Sequence, residues 1–70
     1  METKLLKARM VLAGKKPADL CKAAGMGEST FYKKLRGISD FTKPEIEAIA
    51  REIGLNRDDV MNIFFSELVA

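Results

Sequence analysis

The sequence predicts an all-α domain of five short helices, and three observations lead there. Apolar residues recur at helical spacing, side chains able to cap a helix N-terminus stand before the later runs, and a glycine follows most runs. Strand signals are confined to the tail, residues 64–69, whose aromatic and β-branched residues suit either a helix or an extended segment. With 70 residues there is material for one modest core, so residues 1–70 are read as a single domain. No linker, low-complexity tract or repeat interrupts it.

The first helix is expected over residues 3–13, with Leu5, Leu6, Met10 and Ala13 spaced along it and Gly14 ending it. The second starts at Pro17, where a missing N–H costs nothing, carries Leu20, Cys21 and Ala24, and stops at Gly25. The third covers residues 28–35 and ends near Gly37. The fourth has the strongest start signal. Thr42 is placed as N-cap, Glu45 completes a capping box, and Phe41 is set to staple onto Ile46. Its buried stripe should be Ile46, Ile49, Ala50 and Ile53, with Gly54 as the stop. The same grammar repeats in Asn56, Asp59 and the Leu55–Val60 staple, which starts a fifth helix near Arg57.

Composition removes several function classes. The chain has no histidine and a single cysteine, which excludes an internal disulfide framework and any Cys/His zinc site. It offers no nucleophile with a matching base and no phosphate-binding loop, so no enzyme, small-molecule substrate or cofactor is expected. The longest apolar runs, residues 10–13 and 63–65, are too short for a membrane span or secretory signal, and a cytoplasmic protein is expected. The net charge of +2 hides a strong asymmetry. Residues 1–14 carry +2, residues 15–43 carry seven cations against three acids for +4, and residues 44–70 carry −4. Such sorting fits one surface facing a polyanion, or else a solvated pattern with no partner.

The segment that carries function is residues 17–37, PADLCKAAGMGESTFYKKLRG. Two short helices joined by Gly25, Met26 and Gly27 have the connection length of a helix-turn-helix, here about residues 17–36. Gly25 can take the left-handed conformation, Met26 can plug the corner, and Gly27 serves as N-cap. Leu20 and Phe31 should pack, and Cys21 reads as a packing residue rather than a reactive thiol. On a helical wheel Phe31 and Leu35 fall on one side of the third helix. Ser29, Tyr32, Lys33 and Arg36 fall within roughly 100° on the other. Two cations, a hydroxyl and a phenol are the chemistry that reads base edges and grips phosphates. Glu28, on the shoulder, can accept from cytosine N4, favour the helix dipole or repel phosphate. Ser29 and Thr30 can alternatively satisfy free first-turn amides, and Lys34, on the flank, reads as a phosphate contact or a solvated residue. Lys16 and Lys43 stand at helix N-termini, where a cation beside free amides favours phosphate.

These residues resemble the Cro and repressor type of helix-turn-helix proteins, in particular short Cro-like proteins of phages and prophages in Gram-positive bacteria. STFYKKL, a short loop and FTKPEIEAIAREIGL are similar to the family's recognition helix and the helix after it, and the terminal IFF resembles its ending. The resemblance implies a compact five-helix, repressor-like DNA-binding domain that acts as a dimer, with helix 3 in the major groove of an operator. The sequence departs from the family pattern at Gly27, where a serine or threonine commonly caps, and at Pro17, where a polar phosphate contact is common. It also places Met10 and Leu35 where many members hold a buried arginine and glutamate. An ion pair exchanged for a packed apolar pair can be neutral or stabilising.

The C-terminal residues 60–70 carry more apolar surface than one short helix hides. Val60 and Phe64 are assigned to the core, and Phe65, Leu68 and Val69 to a contact with a second copy. The expected partners are a double-stranded DNA operator and a homodimer mate. The rival reading is an antitoxin-like or adaptor protein-interaction module, in which helix 3 meets an acidic protein.

Overall fold

Five helices make up the residues described by the computed structural model, 1–66, and those residues form no strand. They are α1 (Thr3–Leu12), α2 (Pro17–Ala24), α3 (Glu28–Leu35), α4 (Lys43–Ile53) and α5 (Arg57–Phe64). Their boundaries follow from local chemistry. At the start of α4 the Thr42 hydroxyl accepts from the Glu45 N–H (3.4 Å) while the Glu45 carboxylate accepts from the Thr42 N–H (2.8 Å). Asn56 and Asp59 repeat the reciprocal pair at α5, at 2.8 and 3.2 Å. At α2 only half of this arrangement forms. The Asp19 carboxylate accepts from the Lys16 N–H at 2.8 Å, but a lysine side chain has no acceptor to offer in return.

The α2–α3 corner depends on Gly25, which has φ +69°. Its N–H donates to the Lys22 carbonyl and the Met26 N–H to the Cys21 carbonyl, a Schellman closure that turns the chain within one residue. A Cβ there would meet open space, so an alanine would cost only the left-handed conformation, about 1–2 kcal/mol. Met26 is half-buried against the core, and Gly27 leads into α3 without any side-chain cap.

Every helix contributes to one core. Leu6, Leu20, Phe31, Ile49 and Ile63, one from each helix, are fully buried at its centre. Met10, Cys21, Leu35, Ile46, Ile53 and Phe64 surround them. α2 packs most closely on α4, while α1 lies against α5. The N-terminus is tied down twice: the Glu2 N–H donates to the Ile63 carbonyl (2.7 Å), and the Thr3 hydroxyl donates to the Leu35 carbonyl (3.0 Å). Thr3→Val should therefore cost about 1 kcal/mol, a fall of roughly 5 °C in a thermal melt of so small a domain.

Several expectations need correction. Leu5 and Ala13 are exposed, because adjacent residues on a helix diverge by about 100° and only the Leu6–Met10 side of α1 faces inward. Val11 and Leu12 are also exposed, at 78% and 81%, so α1 is apolar on both its inner and outer sides. Val60 is half-buried rather than buried, and Ile63 takes the central position. One turn earlier on α5, Val60 lines a cleft, whereas Ile63 lies in the core and its carbonyl accepts from the Glu2 N–H. Ala50 is likewise half-buried. The tail is helical through Phe64, while Leu68 and Val69 lie outside the described residues. No helix among the described residues is long and apolar enough to cross a membrane.

Candidate nucleic-acid interface

α3 is anchored by its inner face and open on its outer one. Phe31 is fully buried and Leu35 is 7% exposed, which fixes the helix by two side chains a turn apart. Ser29, Tyr32, Lys33 and Arg36 are all exposed, with Glu28 and Thr30 beside them on the first turn. Tyr32 is held by an edge-on contact between its ring and that of Phe31, with centroids 5.9 Å apart and planes at 70°. The phenol thus stands on a braced ring, and rigid aromatic presentation keeps the entropy lost on contact small.

Ion pairing sorts the cations. Arg9 meets Asp59 at 2.8 Å, Lys15 meets Glu52 at 3.0 Å and Lys34 meets Glu45 at 2.6 Å. Each acid comes from the C-terminal half, so the −4 noted there is partly matched against cations that lie away from the outer face of α3. Lys33 and Arg36 form no ion pair among the described residues, and neither do Lys16 and Lys43. The sequence asymmetry therefore survives folding as a face on α3 whose two cations are unneutralised.

Lys34 departs from its expected role. It is neither solvated nor free for phosphate: its side chain is 11% exposed, bonded to Glu45, with Nζ 5.9 Å from the centre of the Phe41 ring. Lys16 and Lys43 keep exposed side chains, but the helix ends beside them already hold anions. Asp19 takes the Lys16 N–H and Glu45 takes the Thr42 N–H, so the amide end of each helix is met by the protein's own carboxylate. What remains at both positions is a side-chain cation. Lys43 sits on the rim of a cleft of about 580 Å³ between α4 and α5, whose apolar wall includes Phe41, Ile46, Val60, Met61 and Phe65. A second cleft of about 530 Å³ lies on the other side of Phe41 and shares Ile46 and Phe65 with the first. Phe65 is half-buried: it packs on the core and lines both clefts.

No family model, curated protein or solved structure matches this chain. The candidate site therefore stands on its residues alone.

Titration behaviour follows from these contacts. Hydrogen bonding from Arg9 and from the Asn56 amide holds the Asp59 carboxyl below its ordinary value. Burial pushes Glu45 up, but its bonds from Lys34 and Thr42 outweigh that and leave it lowered. Desolvation raises the Cys21 thiol, as suits a packing cysteine that is 4% exposed. A carboxylate with a depressed folded pKa stabilises fully above its unfolded value of about 4 and loses that contribution as pH falls through the folded value. Melting temperature should be flat between about pH 5 and 8 and fall progressively below pH 4. Asp59→Asn should flatten part of that acid limb, and an unchanged limb in that variant would contradict the Arg9 linkage.

Proposed function

We propose that this protein binds double-stranded DNA sequence-specifically through the outer face of α3 and regulates transcription as a homodimer at an operator. The observation that carries this reading is the anchored α3 with its open face. Lys33 and Arg36 are exposed and unpaired there, beside the Ser29 hydroxyl and a braced Tyr32. α2, the three-residue corner and α3 are read as a helix-turn-helix of the Cro and repressor type. A major groove roughly 12 Å wide admits a helix of about 10–12 Å diameter, and eight residues give α3 about 12 Å of length to lay in it. In this reading Lys33 and Arg36 contact guanine or phosphate, Ser29 and Tyr32 complete the reading face, and Glu28 tunes it from the N-terminal shoulder. Lys16 and Lys43 add phosphate contacts by side chain alone. The reaction is binding only, with no catalytic step and no cofactor.

Dimerisation is assigned to the apolar clefts around Phe65, with Leu68 and Val69, which lie outside the described residues, as the further apolar candidates. In this reading a two-fold dimer presents its two α3 helices to successive major grooves, one turn of B-DNA or about 34–36 Å apart. Titration of a duplex at several salt concentrations tests the reading. Log affinity should fall linearly with log salt, with a slope of about −0.9 for each phosphate neutralised. No retardation of any duplex at low salt would refute it.

The apolar outer side of α1 favours a second reading. Val11 and Leu12 are almost fully exposed beside Leu5, in the manner of a protein-interaction surface. A module of that kind would bind no DNA and would lose its partner on Leu12→Ser, a change that should leave DNA affinity untouched if the first reading holds.

A further inference from the structure

We infer that Glu45 is a positioning residue for DNA specificity: it fixes α3 against α4 and holds the Lys34 ammonium away from phosphate. The inference rests on the DNA-binding reading above. One oxygen, Glu45 Oε1, accepts from both Lys34 Nζ (2.6 Å) and the Thr42 N–H (2.8 Å). The last full turn of α3 and the first turn of α4 are therefore joined through a single atom. The two side chains are only 11% and 18% exposed, so the pair is screened from solvent far more than an ordinary surface ion pair. Phe41 backs it. Its ring lies 5.9 Å from Phe31, on the inner face of α3, and 5.6 Å from Phe64 of α5, edge-on to both.

These contacts give the seven-residue connection between α3 and α4 a fixed course, and with it the angle at which the outer face of α3 is presented. They also withhold Lys34 from a helix whose other cations, Lys33 and Arg36, are exposed beside Ser29, Thr30 and Tyr32. A free Lys34 would add an interaction common to all sequences, which raises non-specific binding without improving choice. That uniform contribution cancels in the difference of affinities that is specificity, so the preference itself rests on the orientation that Glu45 gives α3.

The test compares wild type, Glu45→Gln and Lys34→Met on two probes, a random-sequence duplex and the duplex that wild type enriches from a random pool. Glutamine keeps an acceptor for the Thr42 N–H, and methionine keeps the apolar stem of Lys34. Glu45→Gln should steepen the salt slope on the random duplex by about 0.9, as one more phosphate is met. Its preference for the enriched duplex should fall roughly tenfold, the scale of one lost base contact. Lys34→Met should leave the slope at the wild-type value, and this arm holds even if Glu45→Gln folds poorly. A slope reduced by about 0.9 in Lys34→Met would make Lys34 a phosphate ligand and overturn the inference. Equal tightening of both probes by Glu45→Gln, with preference unchanged, would overturn it too, since that is what a mere charge change does. Wild type failing to bind the random duplex at low salt is a separate outcome that removes the DNA reading itself and this inference with it.

Discussion

Replacing Leu35 with glutamate should leave the domain largely unfolded at room temperature. Leu35 is 7% exposed and packs in the core shared with Met10, Phe31 and Leu6. Removing its branched side chain alone costs about 2–5 kcal/mol. A carboxyl group placed there finds no buried cation, because the core cluster holds no charged residue. It must either be desolvated or take up a proton, each costing further kilocalories. A domain of this size has about 5 kcal/mol to lose. On the proposed repressor-type reading, Met10 and Leu35 would occupy the places of a buried arginine and glutamate, which sharpens the expectation. Met10→Arg should also destabilise, and the double variant Met10→Arg/Leu35→Glu should recover part of the loss by restoring a buried pair. Circular dichroism melts of the four proteins decide it. An unchanged melting temperature in Leu35→Glu would contradict the burial described here as well as the correspondence with the family.

The second large effect is on binding. Arg36→Ala and Lys33→Ala should each weaken binding to the enriched duplex by about 1–3 kcal/mol if they reach base edges, and the double variant by about thirtyfold or more. Should either meet phosphate only, its removal would instead lower affinity for every sequence alike and reduce the salt slope by about 0.9. Folding should hardly respond. Both side chains are exposed, neither is ion-paired among the described residues, and Arg36 adds only the small dipole contribution of a cation at the end of α3. Fluorescence anisotropy beside a melt separates the two effects, and an affinity unchanged in the double variant would show that α3 does not face the nucleic acid.

What the sequence disclosed and what it withheld divide along physical lines. Helix starts at Thr42 and Asn56 are local chemistry, a side chain meeting an amide three residues on, and they were legible as such. The inner and outer faces of α3 were legible too, because Phe31 and Leu35 are the only apolar side chains on it apart from Tyr32. α1 was not, since leucines and a valine lie on both sides of it and only tertiary packing selects Leu6 over Leu5. Val60 and Ile63 share a face of α5, and periodicity alone does not rank them; the tertiary fold buries Ile63 fully and leaves Val60 half-buried. The Lys34–Glu45 pair joins residues eleven apart on different helices, and no periodicity announces such a contact. Its one trace in the sequence was the capping role of Glu45, which fixes where that carboxylate must be. The contents of the candidate site were thus readable from spacing, whereas the separation of free from neutralised cations required the fold.

The most direct test is selection of bound duplexes from a random pool by the wild-type protein. A two-fold symmetric motif should emerge, with half-sites centred about 10–10.5 base pairs apart, the spacing of two α3 helices entering successive major grooves on one side of the duplex. A pool that remains random after repeated selection at low salt, under conditions where the protein is folded, would contradict the claim that the open face of α3 reads DNA.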